Sequence, residues 1–283
     1  MTGEARGVLL TVAYDGRLFS GFATQPGRRT VAGELLGAIQ AIDPGVREIR
    51  GASRTDAGVH ARGQRVAFDT AASLPPRGWV LATARHLPDE IVVRRAAVVR
   101  PGLTPRFESL GKHYRYRVLR DVVRDPFWTG RAWRVEGLGA AALGRAQAEA
   151  ALAVGTHDFA AFRSSADERT STVRTLWRVE ASEDPADARI LRVDVEGDAF
   201  LHNMVRILVG TIVDVARGRL APGAIGRALA SRDRRDAGIT APPDGLCLEQ
   251  VRLREEGSDG WPEEPGAISA GSETPAAETP AAS

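Results

Sequence analysis

Val8 to Tyr14 is an apolar run broken only by Thr11, and it ends at the turn pair Asp15-Gly16, the pattern of a strand. Val31, Leu35, Ile39 and Ile42 then recur at the spacing of one helical face. From Gln64 to Thr70 the chain alternates around Val66 and Phe68, which predicts a half-buried strand. Residues 77–87 have a helical pattern and 91–100 an extended one. Residues 1–104 therefore alternate strands with two helices, the order of an α+β unit with helices on one face of a sheet. The theme returns in residues 105–254. His113 to Asp121 predicts a strand, with Tyr114, Tyr116 and Val118 on one face and Arg115 and Arg117 on the other. Leu138 to Val154 is alanine-rich and helical, and residues 173–182 and 189–197 are extended. Residues 200–216 predict an amphipathic helix with Met204, Leu208, Ile212 and Val215 on its apolar face and Arg206 off it. A short helix near 223–230 and a strand over 246–254 follow. The halves are similarly built, without a sequence repeat. From residue 255 to 283, Pro, Gly, Ser, Ala, Thr and Glu dominate, which predicts a disordered acidic tail.

Composition narrows the class. Of 283 residues, 43% are apolar and 26% charged, as in a globular protein. No apolar stretch is long enough to span a membrane, the first residues have no signal-peptide pattern, and Cys247 is the single cysteine. A cytoplasmic setting is therefore expected. The net charge of +2 hides an asymmetry, because residues 255–283 contain seven acids and no Lys or Arg. Residues 1–254 thus carry 38 bases against 29 acids, a surplus of nine. Lys112 is the sole lysine, so that surplus is arginine, whose planar fork grips phosphate and stacks on bases. A nucleic-acid partner becomes plausible. The same census argues against other chemistries: no phosphate-binding Gly-Lys-[Ser/Thr] loop, no metal-type histidine spacing, and only a weak Gly137-Leu138-Gly139 run in place of a dinucleotide fingerprint.

Asp56 lies in Arg54-Thr55-Asp56-Ala57-Gly58, between a strand ending near Ala52 and one starting near Gln64, and so on a loop. Arg54, two residues away, would favour its ionised form, and an ionised carboxylate can be a nucleophile or a general base. Asp-Ala-Gly is equally an ordinary turn, and local chemistry alone favours the turn.

The wider segment GASRTDAGVHARGQRV, from Gly51 to Val66, resembles the catalytic motif of the tRNA pseudouridine synthase A family. Other landmarks agree in order: Tyr14-Asp15-Gly16 with Phe19 and Gly21, Arg106-Phe107, and Lys112-His113-Tyr114-Arg115-Tyr116. Gly155-x-His157-Asp158-Phe159, Phe200-Leu201-His202-x-Met204-Val205-Arg206 and Ala241-Pro242-Pro243-x-Gly245-Leu246 complete the set. The likeness covers roughly residues 7–254. It departs at Phe22-Ala23, where the family usually has Trp-Gln, at Ala32, and at Thr104-Pro105.

The resemblance implies two α+β, ferredoxin-like halves whose antiparallel sheets join around a central basic cleft. It implies isomerisation of uridine to pseudouridine at nucleotides 38, 39 and 40 of the tRNA anticodon stem-loop, by a homodimer, without cofactor or metal. Asp56 takes the place of the catalytic aspartate, Tyr114 that of the tyrosine stacking on the target base, and Arg206 that of the arginine paired with the aspartate. Arg54 matches the arginine that helps extrude the nucleotide, while His202 and Leu246 fall among pocket-lining positions. His60 is open between an RNA contact and a turn-stabilising role. Two readings of other classes compete: a non-catalytic structured-RNA-binding protein, which has no need of the carboxylate, and a nucleosidase using Asp56 on free nucleosides, which has no need of the basic surplus.

Overall fold

The computed structural model describes residues 5–139, 141–167 and 169–262. The first half runs β1 (Arg6–Tyr14), α1 (Val31–Gln40), β2 (Arg50–Gly51), β3 (His60–Thr70), α2 (Pro76–Thr83) and β4 (Ile91–Val99). The second runs β5 (Ser109–Leu119), β6 (Trp133–Arg134), α3 (Ala142–Ala151), β7 (Gly155–Asp158), β8 (Val173–Asp184) and β9 (Asp187–Gly197). It continues through α4 (Met204–Ala216), α5 (Ala224–Ser231) and β10 (Leu246–Leu253) to a final strand, β11 (Ser258–Trp261).

Among the described residues the strands form one sheet ordered β11-β4-β1-β3-β10-β5-β9-β8-β7, with β2 on β3 and β6 on β5. Within it, β4-β1-β3-β2 and β10-β5-β9-β8 are two ferredoxin-like units, antiparallel throughout. The units meet where β3 and β10 pair in parallel, His60 with Cys247 and Ala61 with Leu248. That seam follows directly on the Asp56 loop. Helices supply the cover: Trp79 of α2, fully buried, meets Phe68 of β3 edge-on with ring centroids 4.9 Å apart.

Two expectations need correction. Helix α4 is not amphipathic in the expected sense, for every residue from Met204 to Ala216 is buried except Arg206. Its supposedly outer face is covered as well: a Cβ on Gly210 would lie 1.8 Å from the Ile239 carbonyl oxygen. A helix covered on every side is a core helix; the polar Thr211 and Asp214 are buried with it, and Arg206, its one residue that is not buried, lines the cleft. The tail is also shorter than its composition suggests. Glu255 binds Arg100 at 3.0 Å, Glu256 ion-pairs with Arg65, and β11 pairs with β4 through Ser258↔Val98 and Trp261↔Ala96. Composition marks these acids as solvated, whereas here they neutralise arginines while the segment satisfies an otherwise open sheet edge. Residues 263–283 lie outside the described residues.

Candidate active site

Asp56 is held by a loop that the first half grips from several sides. Gln64, fully buried within β3, donates through Nε2 to the Ser53 carbonyl at 2.7 Å and accepts the Ser53 N–H on Oε1 at 3.2 Å. Thr55 shares a 2.7 Å hydroxyl hydrogen bond with Tyr14 of β1, and its carbonyl accepts the Phe22 N–H at 3.1 Å. The turn closes as the Val59 N–H donates to the Asp56 carbonyl at 3.1 Å, with Gly58 at a φ of 81° that a side chain would resist. Gly21 is equally constrained, at a φ of 94° and 2.9 Å from the Thr55 oxygen for an added Cβ.

His60 belongs to this scaffold and does not line the cleft. Its Nδ1 accepts the Gly16 N–H at 3.2 Å, while Nε2 faces the carbonyls of Gly130 and Asp244 at 3.0 and 3.1 Å. Burial lowers its pKa, so the neutral ring is the form that ties these three segments together. The structure thus favours the turn-stabilising role for His60. The departure at Phe22 is also structural: its ring stacks on Tyr14 with centroids 6.3 Å apart and fills the space over Gly51, where a Cβ would sit 2.3 Å from it.

The second half brings the partners. Asn203 enters α4 with a φ of 63°, a left-handed conformation that asparagine tolerates better than most residues. From there its Oδ1 accepts from Arg206 Nη1 at 2.8 Å, and the Ala241 carbonyl accepts from Arg206 Nε at 2.8 Å. So oriented, Arg206 Nη1 donates to Asp56 Oδ2 at 3.1 Å, across 150 residues of sequence. His202 Nε2 lies 3.4 Å from the other oxygen, Oδ1. Arg54, expected from sequence to supply the neighbouring charge, is instead exposed on the cleft wall, and Arg206 is the cation that pairs.

Tyr114 projects from β5 onto the same floor. Its hydroxyl is 2.9 Å from Ser53 Oγ, and its ring meets Phe200 edge-on at 5.1 Å. Burial, with Ser53 opposing and the Asp56 charge reinforcing, pushes the phenol up to about 12, so Tyr114 faces the site as a neutral hydroxyl. Tyr116 and Val118 continue its face into the core, and Leu246, 5% exposed at the start of β10, pairs with Tyr116 and closes the floor. Asp56, Tyr114, Arg206, Arg54, His202 and Leu246 all line one cleft of about 1590 Å³. Nine Arg or Lys residues line it against four Asp or Glu, which makes it basic. Cys247 is no rival nucleophile, because burial pushes its thiol up to about 12. Among the described residues no cluster of His, Cys, Asp and Glu is arranged to hold a metal ion.

Sequence reasoning did not single out Ser53, Gln64, Asn203 or the Ala241 carbonyl. Gln64 offered a signal, since an amide on the inward face of a strand must satisfy both its donor and its acceptor. The others act through backbone geometry that spacing does not reveal.

Residues 150–253 match the family described as tRNA pseudouridine synthase. A tRNA pseudouridine synthase A of Geobacter sulfurreducens is 41% identical over 249 residues, covering 88% of this chain and 100% of the relative. A tRNA pseudouridine synthase A of Geobacillus kaustophilus is 40% identical over 247 residues, covering 87% of this chain and 93% of the relative. Among solved structures, a chain of the archaeal box H/ACA sRNP Nop10-Cbf5 complex aligns with a TM-score of 0.33 at 14% identity. That alignment covers 87% of this chain and 47% of the other, so this chain spans about half the other's length.

Proposed function

We propose, since the chain belongs to the tRNA pseudouridine synthase A family, that it isomerises uridine to pseudouridine in tRNA with Asp56 as the reacting carboxylate. The observation that carries the assignment of Asp56 is its placement: ion-paired to Arg206 at 3.1 Å, still 24% exposed, at the floor of a basic cleft. Arg206 holds Oδ2, and His202 Nε2 lies 3.4 Å from the other carboxylate oxygen, Oδ1.

In the reaction the N1–C1′ bond breaks, the uracil turns, and C5 bonds to C1′ while the C5 proton is lost and N1 gains one. Substrate and product contain the same atoms at the same oxidation level, so the chemistry needs no redox partner. Asp56 can attack the sugar or the ring, or remove a sugar proton. Tyr114, as a neutral phenol, stacks on the uracil and offers a hydroxyl, through Ser53, for proton exchange near C5. Arg54 on the cleft wall occupies the gap left by the extruded nucleotide, whose flipping costs a few kcal/mol.

The cleft in the free protein is open, not the closed dry pocket that retention of a detached base requires. RNA completes it: the bound anticodon arm forms the missing wall. On this reading the targets are nucleotides 38, 39 and 40 of the anticodon stem-loop, the enzyme is a cytoplasmic homodimer, and each tRNA lies across both subunits. Affinity then falls steeply with salt, as phosphate contacts dictate.

The test is direct. Purified protein incubated with unmodified tRNA bearing uridine at these positions yields pseudouridine there, and Asp56→Asn reduces the rate on the order of 10⁴-fold with tRNA binding retained. Absence of product from the wild type, or undiminished product from the variant, overturns the proposal.

A further inference from the structure

Lys112 stands two residues before Tyr114 on β5, so both side chains leave the same face of the sheet, about 6.6 Å apart along the strand. In register, Lys112 pairs with Gly197 of β9 and Gly197 with Leu176 of β8. Arg174, two residues before Leu176, therefore also shares that face, and both cations line the cleft. Arg106, before β5, and Arg169, before β8, line it too.

This group is short of negative charge. Lys112 has no hydrogen bond or ion pair among the described residues, and burial followed by repulsion from Arg106 and Arg169 lowers its ammonium to about 8. Arg174 has a buried Nε with no partner. The acids nearby are engaged by backbone donors and, at Asp167, by Arg169 Nη1 at 3.6 Å. Asp167 accepts the N–H groups of His202 at 2.6 Å and Arg169 at 3.1 Å, and Asp198 accepts those of Thr175 at 3.1 Å and Ala199 at 2.5 Å. Lys112 and Arg174 are partly buried, an arrangement that an arriving anion would relieve, while Arg106 and Arg169 stand exposed beside them.

We propose that Lys112 and Arg174, with Arg106 and Arg169 beside them, form a subsite for one RNA backbone phosphodiester adjoining the nucleotide that stacks on Tyr114. The proposal rests on the tRNA reading above and deepens it. The subsite fixes how far along the strand the target base lies, because a phosphate held at Lys112 leaves roughly one nucleotide's reach to Tyr114 and Asp56. The rim arginines bind phosphates without setting register, whereas Lys112 sets it.

Neutral methylphosphonate linkages, introduced one at a time into an anticodon-arm RNA, test this with wild type, Lys112→Gln and Lys112→Arg. At one linkage flanking the target uridine, neutralisation should weaken wild-type binding about ten-fold, the size of one lost charge-assisted hydrogen bond. It should cost Lys112→Gln almost nothing further, and Lys112→Arg should bind as wild type does. Lys112→Gln should also lower the slope of log affinity against log salt by about one.

A pH arm adds a readout that a packing role would not move. The charged groups around Lys112 are Arg106, Arg169 and Arg174 with Asp167 and Asp198, and Tyr114 titrates only near 12. A bound phosphate favours the ammonium, so wild-type affinity should decline as pH rises above about 8 while Lys112→Arg does not. Losses that simply add at every linkage, or an Arg variant as weak as the Gln variant, overturn the subsite. These are binding measurements, so they remain separate from the pseudouridine assay: an RNA that binds with Lys112 coupled to one linkage but is never modified refutes the catalytic reading and not the subsite.

Discussion

The floor of the cleft and its rim are built in opposite ways. On the floor, Asp56, Tyr114 and Arg206 each have defined protein partners, and the loop beneath them is tied to the fully buried Gln64. On the rim, Arg54 is exposed, and Phe107 holds its ring in water at 79% exposure. The floor is organised before RNA arrives, so little ordering has to occur at the moment of reaction. On the proposed reading the rim gains its partners from RNA and should govern affinity more than rate.

The comparison breaks most readily at Arg206. Its guanidinium serves Asp56, Asn203 and the Ala241 carbonyl at once, a fork that an ammonium cannot reproduce. Arg206→Lys should therefore lower kcat on the order of 10²-fold, the scale of a lost preorganising donor, while tRNA affinity changes little. A loss confined to KM would move Arg206 from floor to rim. Gln64→Leu tests the foundation. It leaves the buried Ser53 N–H and carbonyl unpaired, and should cost about 1–3 kcal/mol of stability, read as a lower Tm. Unchanged stability would mean that the loop is not held as described.

Rim residues should respond in the reverse sense. Phe107→Ala should weaken tRNA binding about ten-fold, within the range for one base stacked on an aromatic ring, with saturated turnover and Tm unchanged. A smaller effect is expected of pH on the scaffold. His60 is held neutral, its folded pKa below the unfolded value of about 6.5. Its contribution is complete above that value and is lost as pH falls through the folded pKa. Wild-type Tm should therefore decline below about pH 6.5 more steeply than that of His60→Gln.

Much of the architecture was legible because the periodicities are clean. The β5 alternation separated Tyr114, Tyr116 and Val118 from Arg115 and Arg117, as the burial does. Helix α4 misled because periodicity detects one apolar face and cannot see that α3, α5 and the segment around Ile239 cover the others. Asp56 was legible through its motif, but its pairing with Arg206 spans 150 residues and no local spacing encodes it. Segment 255–262 was misjudged for a related reason. Composition describes what a peptide prefers alone, whereas Arg65, Arg100 and the edge of β4 determine what it does in place.

The parallel pairing of His60 with Cys247 and Ala61 with Leu248 has a consequence for how this molecule could be divided. A chain cut between β4 and β5 would leave one fragment with the carboxylate and another with the tyrosine and the arginine. Neither fragment holds all three residues of the proposed site, so turnover would report reunion of the two. β11, which travels with the second fragment but pairs with β4 of the first, would act as the clasp. The sheet is thus a two-part lock, and the seam beside Asp56 is where its parts engage.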